Sequence, residues 1–156
     1  MNRIAQLDPQ TTTGPAKALF EGVQGKLGVV PNLMRVLGNA PAALKGYLNF
    51  SAALADGSFS PKVREQIALA VAETNQCAYC LSAHTFIAGK LGLTQQDLVD
   101  ARQANAADPR TDAILKLARN IVVQRGELGA TGLEQARNAG LTDGDIVETV
   151  AHVALN

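Results

Sequence analysis

The stretch that decides the fold is residues 60–92, SPKVREQIALAVAETNQCAYCLSAHTFIAGKLG. Ser60 can cap a helix at its N-terminus, and Pro61 follows at the first helical position, where a missing N–H costs nothing. The helical pattern continues until it is interrupted at Asn75 and the glutamine after it. We expect a second helix to begin at or near Cys77, with Asn75 as its N-cap. The stretch therefore predicts two consecutive helices with a cysteine pair at their junction.

Helical patterns also extend on both sides of this stretch. Thr94 and Thr142 each precede an aspartate by three residues, Asp97 and Asp145, which is the spacing of a capping box. Strand-like alternation never extends beyond a few residues. The fold class is therefore predicted to be all-α, as a compact multi-helix domain. Further helices are predicted at 13–27, 31–40, 41–57, 109–125 and 131–140, and after Thr94 and Thr142.

The helices at 13–27, 41–57 and 109–125 each have an apolar face that predicts part of the core. In the helix at 109–125, Asp112 and Lys116 also stand four residues apart on the outer side, where they can form an ion pair. The inward residues of that helix are predicted to be Ile114, Leu117, Ala118 and Ile121. Those of the helix at 13–27 are predicted to be Ala16, Leu19, Phe20, Val23 and Leu27.

The composition is that of a folded globular chain. The 156 residues are 47% hydrophobic and 18% charged, which predicts a single domain over residues 1–156 and argues against disorder. Lys and Arg together number 14, as do Asp and Glu. There is thus no basic excess of the kind that nucleic-acid binders show. A net charge near zero gives little protection against self-association, so an oligomer is plausible.

The sequence also suggests a cellular compartment. No apolar run follows the first arginine, so a secretory signal is not expected, and no uncharged apolar stretch approaches the ~20 residues needed to cross a bilayer. We therefore expect a cytoplasmic protein that does not bind membranes. In the cytosol, a C-x-x-C pair is more often catalytic or metal-binding than a structural disulfide.

Helix geometry relates the two cysteines to one histidine. Cys77 and Cys80 share a helix face, and His84 follows Cys80 by one turn, about 6 Å along the axis against about 10 Å from Cys77. His84 is therefore placed to serve Cys80. A helix N-terminus also stabilises a thiolate, and this effect favours Cys77. The residues alone leave open which sulfur is the nucleophile.

The spacing of four residues carries a family resemblance. Glu65, Cys77, Cys80 and His84 form the pattern E-x11-C-x2-C-x3-H, which resembles the signature of the alkylhydroperoxidase D-like family in the carboxymuconolactone decarboxylase superfamily. The segments GVVPNLMRVLGNAP, SPKVRE and VETVAHVALN are also similar to members of that superfamily. The resemblance implies an all-helical fold that assembles into homo-oligomers, commonly trimers or hexamers.

The resemblance also implies a mechanism. Cys80 is expected to be the peroxidatic thiolate and Cys77 the resolving thiol, while His84 and Glu65 form a proton relay. The implied substrate is a peroxide, and the reductant is an external dithiol on a lipoyl-bearing or thioredoxin-like protein. No cofactor or metal is expected. Well-studied members have histidine where this chain has Tyr79, a poor base near neutral pH, so the relay would rest on His84 and Glu65 alone.

Other functions compete with this one. The cysteines could bind zinc with His84 and either Glu65 or His152, or could act as a redox sensor without turnover. A carboxymuconolactone-type decarboxylase is a second alternative, although such members generally lack the cysteine pair. Glu73, the other acid near the pair, is predicted to be solvated. His152 is predicted to be a core or interface residue whose hydrogen bonds are satisfied.

Overall fold

The computed structural model describes residues 3–156, and its regular secondary structure is entirely α-helical over that range. The predicted all-α fold class is confirmed. The helices of the described chain are α1 Pro15–Leu27, α2 Asn32–Leu37, α3 Pro41–Ala55, α4 Pro61–Thr74, α5 Ala78–Lys90, α6 Gln95–Arg102, α7 Pro109–Val123, α8 Gly129–Asn138 and α9 Asp143–Leu155.

The chain divides into two compact units, the first ending at Ala53 and the second running from Leu54 to Asn156. The first unit has its own small core, formed by Phe20, Val23, Val30, Met34 and Leu44. The predicted inward position of Leu27 is wrong, since this side chain is 59% exposed. Leu27 is the last residue of α1, directly before a left-handed glycine that ends the helix, so it lies beyond the packed turns. The single domain over residues 1–156 stays a prediction.

The second unit is built around α4. Helices α5, α6, α7 and α9 all pack against it. Six consecutive α4 residues, from Ile67 to Ala72, are buried, because a helix covered on several sides has no solvent-facing stripe in its middle turns. The predicted inward face of α7 is confirmed, with Ile114, Leu117, Ala118 and Ile121 all buried.

The helix ends follow local capping rules. Ser60 accepts a hydrogen bond from the Val63 amide, as predicted. Thr94 and Thr142 each form a complete capping box with the aspartate three residues later, which confirms both predictions. On the outer side of α7, Lys116 Nζ lies 2.6 Å from Asp112 Oδ2, which confirms the predicted ion pair. Within residues 3–156, every helix is too short or too polar to span a lipid bilayer.

Candidate active site

Cys77 occupies the junction between α4 and α5 and contributes to the ends of both helices. Helix α4 ends through Gln76, which adopts a left-handed conformation (φ 54°), and the Cys77 amide then donates to the Ala72 carbonyl at 2.9 Å. This is the bonding pattern of a Schellman C-cap. Cys77 is also the N-cap of α5, and its Sγ accepts a hydrogen bond from the Cys80 amide at 3.3 Å. The backbone on both sides of the first cysteine is therefore held in place.

The prediction of Asn75 as N-cap is wrong. Asn75 is instead the C-cap residue of α4, with its amide bonded to the Val71 carbonyl. The reason is that the turn needs two residues, one to end α4 and one in the left-handed conformation, before the next helix can begin. Cys77 is the first residue after that turn, so its sulfur takes the capping position. A negative charge on this sulfur would face the N-terminal amides of α5.

Cys77 and Cys80 are joined by a disulfide, with their Cα atoms 5.3 Å apart. Both residues are partly exposed, and Tyr79 between them is 47% exposed. The Cα separation lies within the usual range for a disulfide, and external reagents can approach the partly exposed pair. The C-x-x-C segment has the placement that dithiol chemistry requires.

His84 and Glu65 are brought together from different helices. Glu65 lies on α4 and His84 on α5, and His84 Nδ1 is 2.8 Å from Glu65 Oε2. Both side chains are largely shielded from solvent, with 24% of the His84 side chain and 17% of the Glu65 side chain exposed. The two acidic candidates near the cysteines are thereby distinguished, because Glu73 instead pairs with Arg102 on the surface at 2.6 Å.

The Glu65 contact determines which imidazole nitrogen can accept a proton. An ionised Glu65 only accepts hydrogen bonds, so His84 Nδ1 must carry the hydrogen between them. In a neutral His84, Nε2 then keeps a lone pair and can act as a base. A carboxylate that fixes the tautomer and orientation of a histidine in this way is a common arrangement in catalytic sites.

The four predicted site residues therefore fall into two connected pairs, a disulfide and a hydrogen-bonded acid and imidazole. Helix α5 joins the pairs, since Cys80 and His84 are separated by one turn on the same helix. Among residues 3–156, no group of three or more His, Cys, Asp or Glu side chains is placed to hold a metal ion. The described residues therefore do not provide the set of ligands that the predicted zinc alternative requires.

His152 is a buried residue of α9. Its ring stacks on Phe59, with centroids 5.7 Å apart, and only 2% of the residue is exposed. The prediction that its hydrogen bonds are satisfied is wrong, because Nε2 has no partner among the described residues. Glu148 Oε1 is 3.8 Å from Nε2 but accepts a hydrogen bond from the Phe59 amide at 3.0 Å instead. Burial of the imidazole lowers the pKa of His152, and this outweighs the opposing effect of Glu148.

Comparison with known proteins identifies the family. The family model described as the carboxymuconolactone decarboxylase family matches residues 41–124, which include α4, α5 and all four predicted site residues. The chain belongs to this family. The predicted resemblance to its alkylhydroperoxidase D-like members is confirmed. Among curated proteins, the chain matches the uncharacterized protein YdfG of Bacillus subtilis (strain 168), with 30% identity over 87 residues. That match covers 54% of the chain and 59% of the relative.

Several solved structures have the same fold over almost the whole of this chain. The alkylhydroperoxidase AhpD core of an uncharacterized peroxidase-related protein from Ralstonia eutropha JMP134 aligns with a TM-score of 0.84 and 26% identity, covering 98% of this chain and 83% of the other. A peroxidase-related protein from Silicibacter sp. TM1040 aligns with a TM-score of 0.79 and 25% identity, covering 99% and 86%. The debrominase Bmp8 has the same fold at 16% identity, with a TM-score of 0.80 and coverage of 99% and 84%.

Sequence reasoning missed two features of this part of the molecule. The first is the capping role of Cys77, which a left-handed Gln76 makes necessary and which no glycine in the sequence signals. The second is Glu148, which accepts hydrogen bonds from Ser58 and Phe59, 90 and 89 positions earlier in the chain. No periodicity or local spacing relates residues at that separation.

Proposed function

We propose that the protein is a thiol-dependent peroxidase that reduces alkyl hydroperoxides or hydrogen peroxide. The observation that carries this proposal is the hydrogen bond that Glu65 of α4 forms with His84, which lies on the same helix as Cys80 of the Cys77–Cys80 disulfide. A disulfide alone would fit a redox sensor equally well. An oriented imidazole one turn from one of the sulfurs adds a base for turnover. The peroxidase-related descriptions of the Ralstonia and Silicibacter proteins support the same class of activity.

In the first step, His84 Nε2 accepts the proton of the Cys80 thiol. The thiolate then attacks the terminal oxygen of the peroxide and the O–O bond breaks. The proton held on His84 passes to the departing alkoxide, so the products are the alcohol and a Cys80 sulfenic acid. Glu65 stabilises the imidazolium that exists between the two proton transfers, because its carboxylate lies 2.8 Å from Nδ1.

In the second step, the Cys77 thiol condenses with the Cys80 sulfenic acid. A sulfur–sulfur bond forms and one water molecule is released. An external dithiol then reduces the disulfide by two exchange steps and is itself oxidised to a disulfide. A lipoyl-bearing or thioredoxin-like protein is the proposed donor. Its approach is consistent with the partial exposure of both cysteines.

The test is peroxide consumption with dihydrolipoamide or reduced thioredoxin as the electron donor. We expect both Cys80→Ser and Cys77→Ser to abolish turnover, while Ser82→Ala, on the exposed side of the same helix, keeps it. Mass spectrometry after one equivalent of peroxide should show a sulfenic acid on Cys80 in the Cys77→Ser protein. Full turnover by Cys80→Ser would show that the two roles are assigned wrongly. Absence of turnover in the wild type with either donor would favour a redox sensor.

The relay has its own matched pair of variants. Glu65→Gln keeps the shape of the side chain but removes the charge that stabilises the imidazolium, so we expect the rate of peroxide reduction to fall by about 100-fold. Glu73→Gln makes the same change elsewhere on α4, in a surface ion pair, and should leave the rate nearly unchanged. Equal rates of peroxide reduction by Glu65→Gln and Glu73→Gln would show that Glu65 has no part in the mechanism.

We also propose that the protein works as a homo-oligomer, a trimer or hexamer. Two large apolar side chains of the second unit, Phe86 on α5 and Val147 on α9, are each 68% exposed in the single chain. The balanced net charge offers little repulsion between copies. Sedimentation velocity at micromolar concentration should show a single assembled species. A monomer at that concentration would contradict this proposal without affecting the peroxidase assignment.

A further inference from the structure

A cavity between α7 and α8 lies outside the cysteine site and is assigned no role by the proposed reaction. Its volume is about 370 Å³, which falls in the range of small-molecule sites. The space exists because both helices present small residues to it, Ala113 from α7 and Gly132 and Ala136 from α8. Leu117 adds a further apolar surface. The interior of the cavity therefore suits a short hydrocarbon group.

The charged side chains around the cavity are both cationic, and none of the residues that line it is acidic. Lys116 and Arg119 contribute two positive charges, and Asn120 and Gln135 contribute amide N–H groups. Lys116 is already neutralised by Asp112. Arg119 forms no ion pair with any carboxylate of residues 3–156, so its charge and its fork of donors stay available.

We propose that this cavity binds a small organic anion with an apolar body, such as a medium-chain carboxylate. The hydrocarbon would lie against Leu117 and the small residues of α7 and α8, and the carboxylate would pair with Arg119. A planar guanidinium matches a carboxylate through two parallel hydrogen bonds, which gives the cavity its preference for an anion over a neutral ligand. The proposal does not rest on the peroxidase chemistry.

Octanoate is the probe that tests this site, with octanol and acetate as its neutral and truncated counterparts. In isothermal calorimetry, octanoate should bind the full chain with one site per chain, and more tightly than either counterpart. In amide NMR spectra, the shifts should centre on Gly132 and Ala136. A second cleft that also includes Arg119 is lined by Thr74 and Asn105, so shifts at those residues instead would place binding elsewhere and overturn the proposal.

Three variants separate the proposed contact from general electrostatics. Arg119→Gln should weaken octanoate binding by about tenfold, as expected for the loss of a charged hydrogen bond. Arg137→Gln removes the same charge from an exposed position of α8 that does not line the cavity, and should change affinity by less than about twofold. Ala113→Leu should abolish binding by filling the cavity, and circular dichroism will show whether it is folded.

The outcomes are distinct from those of the peroxidase test. Cys80→Ser should bind octanoate as tightly as the wild type, because the cavity contains neither cysteine. No saturable binding of octanoate, equal affinities for octanoate and octanol, or equal effects of Arg119→Gln and Arg137→Gln would each overturn the proposal. If Ala113→Leu does not fold, the affinities of Arg119→Gln and Arg137→Gln for octanoate still test the proposed contact with Arg119.

Discussion

Loss of the Glu148 carboxylate should weaken the second unit, because this one group joins α9 to the segment before α4. Its Oε2 accepts hydrogen bonds from the Ser58 amide at 3.0 Å and the Ser58 hydroxyl at 2.6 Å, and its Oε1 accepts one from the Phe59 amide at 3.0 Å. Burial raises the pKa of Glu148, but the hydrogen bonds from Ser58 and Phe59 outweigh it and hold that pKa below its ordinary value.

The size of the destabilisation depends on which of the hydrogen-bond donors to Glu148 can bond to water when the carboxylate is removed. Glu148→Gln keeps the volume but has one acceptor oxygen and one amide group, so it must present a donor where the carboxylate presented an acceptor. Ser58 is exposed and can bond to water, whereas the Phe59 amide belongs to a residue that is only 3% exposed. Hydrogen bonds to a charged group contribute about 1.5–3 kcal/mol each. The glutamine oxygen can still accept from the Phe59 amide, so the loss comes from the missing charge at that bond and from the two bonds to Ser58, which water replaces only in part. We therefore expect a loss of about 2–4 kcal/mol in the free energy of unfolding.

The assay is urea denaturation at pH 7 followed by circular dichroism, with Glu134→Gln as the control. Glu134 is an exposed acid on α8, so its substitution should change stability by less than about 0.5 kcal/mol. Because the folded pKa of Glu148 is depressed, its contribution is present above the ordinary glutamate pKa and is lost as the pH falls through the folded value. The difference between wild type and Glu148→Gln should thus shrink on acidification. A loss under about 1 kcal/mol at pH 7 would refute this reasoning.

Three further predictions concern the same unit. Thr142→Ala removes the capping box of α9 and should cost about 1 kcal/mol in urea denaturation. Gln76→Gly should stabilise the chain by about 0.5–1 kcal/mol in the same assay, because glycine adopts the left-handed conformation without the steric cost that a side chain incurs. Burial lowers the pKa of His152, so this histidine binds a proton more tightly in the unfolded chain than in the folded one. The free energy of unfolding should therefore fall as the pH drops below about 6.5. Urea midpoints compared at pH 7.5 and 5.5 should fall less in His152→Gln than in the wild type.

Each of these predictions has a contradicting result. An unchanged urea midpoint in Thr142→Ala would mean that the capping box contributes nothing to the packed helix. A destabilised Gln76→Gly protein would show that the Gln76 side chain makes a contact worth more than the backbone strain. Parallel pH profiles for wild type and His152→Gln would show that His152 keeps its ordinary affinity for protons when buried.

The sequence by itself determined the helices and most of their ends. Capping involves groups three or four residues apart, so Ser60, Thr94 and Thr142 could be recognised from local spacing alone. The apolar period likewise predicted the buried face of α7. The same local logic placed His84 one turn from Cys80. It failed at Asn75, because nothing in the sequence showed that Gln76 would adopt a left-handed conformation.

Only the tertiary structure decided which distant groups meet. Glu65 and His84 are nineteen residues apart on different helices, and their hydrogen bond depends on how α4 and α5 pack. Before the structure, only the spacing shared with a known family selected Glu65 over Glu73. The unpartnered nitrogen of His152 and the available charge of Arg119 likewise depend on neighbours from other helices. Local periodicity reports which face of a helix is buried, whereas the chemistry of a site depends on the packing of several such faces, which no short stretch of sequence contains.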